Sequence, residues 1–545
     1  MQTRNEQDTR SLIDSLPVRT LLSQLIMVDM PGPSPDSLLQ EDFSRNPWGG
    51  IILFAKNIVD EHQLTELTGN LQKLSAQSLP SMPLLIGVDH EGGIVTRFNF
   101  PSMTPLCGNM ALGATGSPEF AGQAARICAD DLRKLGINLD FAPDVDVNNN
   151  PQNPIIGARS FGESPDLVAD LGRAYIRGLG DGGILATAKH FPGHGDTSWD
   201  THRSLPTIPH SIERLESVEL KPFRAAIEED VDMIMTAHIT FPALEPMEGL
   251  PATLSPRILT GLLRESMGYK GVIVTDSMAM KAITSVFGYE IAALMALQAG
   301  ADLLLLCGSR DEQISALNYL EKSVDSGKLT RERLAASVER LFRLRQKLAG
   351  FSPAEATGSQ EEHRRNMTEI TKASITLVRN DDGLLPLSRD CRLTVVLPKY
   401  FPLSPLGEAI FSPTLPDHLT AYTGNVRKVE FDAKTGAIDE DELKRSIAES
   451  PLALFCTFCN GRLPEGQRQI YSTMAAADAR IIVISLNSPY VIMDIPDARS
   501  CVYCYNYGDI SMEALASVLF GEHRPSGKLP VSLPGLFEQG HSLTY

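Results

Sequence analysis

Between residue 16 and about residue 350, short apolar runs alternate with stretches of helical periodicity. The runs cover residues 25–29, 50–54, 84–88, 139–142, 186–190, 233–237, 272–275 and 303–306. Each is four or five residues long and mostly aliphatic, the pattern of a strand buried on both faces. Apolar positions recurring every three or four residues predict helices over 61–76, 117–135, 166–179, 212–229, 257–267 and 289–298. Eight strands with helices between them predict a closed parallel (β/α)8 barrel of the TIM type over residues 1–350. The stretch 351–365, FSPAEATGSQEEHRR, is polar and carries Pro, Gly and Ser, which predicts a linker. Alternation resumes over 366–545, with strands expected at 375–379, 393–397, 452–456, 481–484 and 502–505. Helices are expected there at 440–448, 466–476 and 511–519, which together predict a smaller αβα sandwich.

Polar residues gather where the apolar runs of the first part end. Asp89-His90-Glu91-Gly92-Gly93 and then Arg97 follow the third run, and Asp144, Asp146, Asn148 to Asn150 and Arg159 follow the fourth. His238 follows the sixth and Asp276 the seventh. The fifth run opens into the densest stretch of the chain, KHFPGHGDTSWDTHRSLP from Lys189 to Pro206. Pro192, Gly193 and Gly195 rule out a regular helix there, so it reads as a shaped loop. Four of the eleven histidines lie between His190 and His210. In a parallel barrel all these positions share one rim, and their convergence predicts an active site on it.

Composition narrows the choices. A chain of 545 residues exceeds a single core and calls for more than one domain. A net charge of -18 speaks against nucleic acid or an anionic membrane as the main partner. The N-terminal sequence is polar, without the apolar centre of a secretory signal, and predicts a cytoplasmic protein. Cys456 and Cys459, like Cys501 and Cys504, form CxxC pairs, but in apolar strand-like text. They are expected as buried thiols rather than a zinc site.

The chemistry starts at Asp276, which ends the apolar run GVIVT. A carboxylate there can act as a nucleophile if nearby cations keep it ionised, with Lys189 and Arg159 as candidates; a helix N-cap is the bland alternative. Asp200 and His202 stand two residues apart, so the carboxylate can fix one imidazole nitrogen and leave the other for proton transfer. Lys189, His190, Arg97 and Arg159 add donors and Asp89 an acceptor, the alternation that sugar hydroxyls require. His190, His194, Asp196 and Asp200 are metal-type residues, but Pro192 and Gly193 deny His190 and His194 helical spacing, and no metal or cofactor is expected.

These residues resemble glycoside hydrolase family 3, in its bacterial β-N-acetylglucosaminidase branch. The resemblance is carried by KHFPGHGDT from Lys189 with Asp200-Thr201-His202, by Asp89-His90-Glu91-Gly92-Gly93, and by Phe141-Ala142-Pro143. Gly157 to Gly162, Pro251 to Ser255 and Thr275-Asp276 add to it, as do Ser374 to Asn380 and Gly527 to Val531 in the second part. It covers nearly the whole chain. It implies a retaining exo-acting hydrolase with Asp276 as nucleophile and His202 as acid/base oriented by Asp200. It also implies that Asp89, Arg97, Arg159, Lys189 and His190 hold N-acetylglucosamine at the non-reducing end. The partner it implies is a small carbohydrate, a peptidoglycan fragment or a chitin oligosaccharide, bound by a monomer or weak homo-oligomer. His90 stands where the family often has Gln, and Ile94 where it often has Arg. Three alternatives stay open: a phosphorylase, a β-glucosidase of the same fold, and a sugar-binding protein without turnover.

Overall fold

The structure is a computed structural model; it describes residues 6–197, 205–351, 358–399, 401, 402, 410, 411 and 413–545. Eight parallel strands form the first sheet: β1 (Ile26–Val28), β2 (Gly50–Ile52), β3 (Leu85–Val88), β4 (Leu139–Asp140), β5 (Leu185–Phe191), β6 (Met233–Thr236), β7 (Val272–Thr275) and β8 (Leu304–Leu306). They run in the order β7-β6-β5-β4-β3-β2-β1-β8. A parallel bridge between Val274 and Leu303 brings β7 against β8 and closes the barrel. Every residue in these strands is buried, as their aliphatic text requires.

The helices follow the polar–apolar period with two instructive departures. The helix Glu61–Ala76 starts where the Asp60 carboxylate accepts from the Gln63 amide at 2.8 Å. The single helix expected over 212–229 is two, Ile212–Ser217 and Lys221–Glu228, because Pro222 lacks an amide hydrogen and sits in the first turn of the second. The stretch expected as a helix over 257–267 is a π-helix, Arg257–Ser266, with the Met267 amide donating to the Leu262 carbonyl at 2.8 Å. The expected linker is corrected over its second half. Gln360–Ser374 is a helix, started by Ser359, whose side chain accepts from the Glu362 amide. Its charged outer face hid the apolar positions Met367 and Ile370 that bury its inner one.

The second sheet has six strands in the order β13-β10-β14-β15-β16-β9. They are β9 (Thr376–Asn380), β10 (Leu393–Pro398), β13 (Val426–Phe431), β14 (Leu452–Thr457), β15 (Arg480–Ser485) and β16 (Ser500–Tyr503), all parallel except β9, which runs antiparallel to β16. A separate antiparallel pair, β11 (Phe401–Pro402) and β12 (Ile410–Phe411), lies between β10 and β13 in the chain. The edge strand β13 was not expected from VRKVEF, whose charged residues remain largely exposed. The cysteines of both CxxC pairs are buried thiols, as their apolar setting predicts.

The chain divides into two compact units that interleave in sequence. One comprises Met1–His90, Ala125–Val145 and Tyr175–Thr357; the other comprises Glu91–Ala124, Asp146–Ala174 and Gly358–Tyr545. The segments leaving β3 and β4 therefore build the second unit together with the C-terminal sheet. Within that unit the Tyr507 hydroxyl donates to the Gly93 carbonyl at 2.9 Å and the Lys528 amide to the Ala114 carbonyl at 2.9 Å. Ile94 and Val95 join its apolar core with Leu454, Leu486 and Tyr507. The residue standing where the family often carries Arg is thus a core side chain.

Candidate active site

In the barrel unit, side chains at the carboxyl ends of the strands share one end because the strands are parallel. Asp29 directly follows β1, Asp89 follows β3, Asp276 follows β7 and Cys307 follows β8; Lys189 and His190 belong to the last residues of β5. Lys189 is fully buried and donates from Nζ to Asp89 Oδ1 at 2.9 Å. The Val145 amide donates to the Lys189 carbonyl at 2.8 Å, which fixes the backbone that aims the lysine. His190 Nδ1 lies 3.9 Å from Asp144 Oδ2, and its ring meets the His194 ring edge-on at 5.6 Å. Asp144 and His190 are thus one metal-type pair that this unit brings together.

Asp276 Oδ1 accepts from the amide of Ser277 at 2.6 Å. Its surroundings are read best through Cys307. Burial pushes that thiol up to about 12, and the carboxylates of Asp29, Asp276 and Asp89 push the same way, against a hydrogen bond from the Ser277 side chain. Three carboxylates from β1, β3 and β7 therefore lie within electrostatic reach of one thiol at the end of β8. Asp29 is held by Lys56 Nζ at 2.5 Å, by the Gly308 amide at 3.0 Å and by Gln313 Nε2 at 2.9 Å. Asp29 and Cys307 were not singled out in the sequence. Their signal was available, since each stands at the end of an apolar run as Asp89 and Asp276 do.

Other expected residues belong to the second unit or lie outside the described residues. Arg159 and Arg97 belong to the second compact unit. There Arg159 sits on the short helix Gly157–Arg159, and its Nε and Nη2 donate to the two oxygens of Glu91 at 2.9 and 2.8 Å. Both members of this bidentate pair are buried. Arg159, expected also as a cation near Asp276, pairs within its own unit with Glu91. Glu91 was quoted in the motif without a role. Asp200 and His202, with Trp199 and Arg203, lie outside the described residues. On either side of that stretch, Asp196 Oδ2 is 2.6 Å from His210 Nε2, and the Ile208 amide donates to the Thr240 carbonyl at 2.9 Å.

A ring of carboxylates with a buried lysine at the carboxyl end of a barrel can bind hydroxyls and stabilise a developing positive charge. Comparisons with known proteins give the chain its relatives. Residues 18–344 match the description "Glycosyl hydrolase family 3 N terminal domain" and residues 375–542 match "Glycosyl hydrolase family 3 C-terminal domain". The chain is 33% identical to β-hexosaminidase A of Pseudoalteromonas piscicida, covering 91% of each. It is 29% identical to a β-N-acetylglucosaminidase/β-glucosidase of Cellulomonas fimi, covering 84% of each. Its fold superposes on a solved β-N-acetylglucosaminidase from Paenibacillus sp. str. FPU-7 with a TM-score of 0.89 at 37% identity, over 95% of this chain and 99% of that one.

Proposed function

The chain belongs to glycoside hydrolase family 3 and is a glycoside hydrolase of its β-hexosaminidase group, and we propose that it acts as a retaining, exo-acting β-N-acetylglucosaminidase. The observation that supports this reading most is the position of Asp276. It directly follows β7 and shares its surroundings at Cys307 with Asp89, which in turn holds Lys189.

In this mechanism the Asp276 carboxylate attacks the anomeric carbon. His202, as imidazolium, protonates the leaving oxygen, and the bond to the aglycone breaks as the glycosyl–enzyme ester forms. Neutral His202 then takes a proton from water, which attacks the same carbon, releases the carboxylate and returns the original configuration. Asp200 orients the imidazole. The paired Asp89 and Lys189 offer an acceptor and a donor to neighbouring sugar hydroxyls, and His190 adds a further polar contact. Arg97 and Arg159 are assigned to sugar binding by resemblance alone; their substitution by Ala should raise KM. The substrate is a peptidoglycan fragment or chitin oligosaccharide with N-acetylglucosamine at its non-reducing end.

The test is the stereochemistry of the first product released from an aryl β-N-acetylglucosaminide, followed by proton NMR. Initial release of the β-anomer supports the reading; initial release of the α-anomer overturns it. Running aryl β-glucoside in parallel, and both substrates with and without phosphate, separates this activity from glucosidase and phosphorylase action. Sugar 1-phosphate as the main product would replace water with phosphate as the acceptor.

A further inference from the structure

His238 lies two residues beyond β6 and is almost completely buried. Both of its ring nitrogens are engaged. Nε2 is 3.0 Å from the carbonyl oxygen of Ser277, and a carbonyl only accepts, so Nε2 carries the proton. Nδ1 is 2.8 Å from the hydroxyl of Thr253. That hydroxyl is itself fixed, 3.0 Å from the Ala237 carbonyl and 2.8 Å from the Thr236 hydroxyl. The imidazole is thus locked in orientation with its N–H aimed at the residue that follows Asp276.

Ser277 is gripped from three sides. Its carbonyl accepts from His238, reaching over from β6. On the β8 side the next amide, Met278 N–H, donates to the Leu305 carbonyl at 2.9 Å. Its own amide donates to Asp276 Oδ1 at 2.6 Å. The direction of that amide, and with it the placement of the carboxylate, depends on anchors either side of it. The one on the β8 side is local to β7 and β8. The one from β6 is a single side chain.

We propose that His238 is a positioning residue for the nucleophile, acting through the backbone of Ser277 to hold the Asp276 carboxylate in line with the anomeric carbon. The inference rests on the reading of Asp276 as nucleophile. Burying an imidazole is costly unless its polar atoms are satisfied, and here Nδ1 meets the Thr253 hydroxyl and Nε2 the carbonyl of the residue after the nucleophile. Displacement of a reacting group by about 1 Å costs on the order of 100-fold in rate.

The experiment uses the full chain and a fluorinated N-acetylglucosaminyl fluoride that accumulates the glycosyl–enzyme. Wild type should gain one adduct, on the peptide that contains Asp276. His238→Ala should reach the same final stoichiometry at a rate roughly 100-fold lower, with unchanged inhibition by free N-acetylglucosamine. His238→Gln, which restores an N–H near the Nε2 position, should recover to within about tenfold of wild type. A merely structural role would instead lower the fraction of enzyme labelled and leave the rate per labelled site alone; that result, or a His238→Ala rate within about twofold of wild type, overturns the inference. Should His238→Ala fail to fold, Thr253→Val removes the hydroxyl that fixes Nδ1 and is expected to slow labelling roughly tenfold, whereas labelling at the wild-type rate overturns the inference. Absence of any adduct on Asp276 in wild type is a different failure: it removes the nucleophile reading itself.

Discussion

The two ends of the barrel use the same residue types for opposite purposes. At the amino ends of the strands, Asn138, Asp232 and Asp302 stand just before β4, β6 and β8, and each reaches the backbone of the preceding strand. Asn138 accepts from the Ile86 amide and donates to the Leu84 carbonyl, both at 2.8 Å. Asp232 accepts from the Ala186 amide and Asp302 from the Ile273 amide, both at 3.0 Å. Asp302 also takes Arg264 at 2.6 Å and Arg340 at 2.9 Å, with Arg333 at 3.8 Å. One anion meets three cations there. At the carboxyl ends anions outnumber cations, and the carboxylates of Asp29, Asp89 and Asp276 all push the Cys307 thiol the same way. Charge at the lower end is spent on fixing strands. Charge at the upper end keeps carboxylates in excess, Asp29, Asp89 and Asp276 against Lys56 and Lys189, which suits a transition state that develops positive charge in the sugar ring.

The contrast breaks most sharply at Asp276. Asp276→Ala should lower turnover by at least about 1,000-fold while leaving the urea midpoint near wild type, measured by steady-state kinetics and chemical denaturation. Near-normal turnover would remove the upper end's claim to the chemistry. His202→Ala should cost roughly 100- to 10,000-fold on substrates with poor leaving groups and far less on activated aryl glycosides; equal losses on both would argue against proton transfer by that imidazole. Asp302→Ala tests the lower end. It removes the buried counter-charge of three guanidiniums and should cost about 3–5 kcal/mol of stability with turnover per folded molecule unchanged. A loss of turnover without loss of stability would collapse the distinction between the two ends. Asn138→Ala should cost about 1–3 kcal/mol, again without a kinetic effect, because it takes the acceptor from the buried Ile86 amide of β3.

The smallest effect near neutral pH comes from the thiols. Burial pushes Cys107, Cys307, Cys459, Cys501 and Cys504 each up to about 12. In the unfolded chain a thiol loses its proton near pH of about 8.5. Their contribution to stability is therefore complete below that pH and falls as pH rises toward 12, since only the unfolded state gives up protons at first. Urea midpoints should decline between about pH 8.5 and pH 11, and Cys307→Ser should weaken the decline slightly.

Much of this was legible in the chain. The seventh run and β7 coincide at Val272–Thr275, and the helix Glu61–Ala76 has the bounds its pattern suggests. Asp89, Lys189 and Asp276 stood out because each ends an apolar run. What the pattern missed was long range or masked by charge. The Lys189–Asp89 pair spans 100 residues and the Arg159–Glu91 pair 68, and neither separation has a local signature. The helices Arg310–Asp325 and Arg331–Gln346 are so densely charged outside that their buried Leu and Val positions do not stand out. His238 was visible as a polar residue after a strand, but Ser277, its partner 39 residues on, was not.

The interleaving of the two units has a consequence for how the protein is born. Residues 91–124 and 146–174 leave the ribosome early, but the sheet of their unit begins only with β9, and the segment that donates from the Leu543 amide to the Leu377 carbonyl comes later still. At roughly 5–20 residues per second, the remaining 370 or so residues take on the order of 20–75 s to synthesise. Throughout that interval Ile94 and Val95 await the core they join. A nascent barrel with two apolar flaps exposed is a natural client for chaperones, and a chain stopped after the barrel would keep them exposed for good.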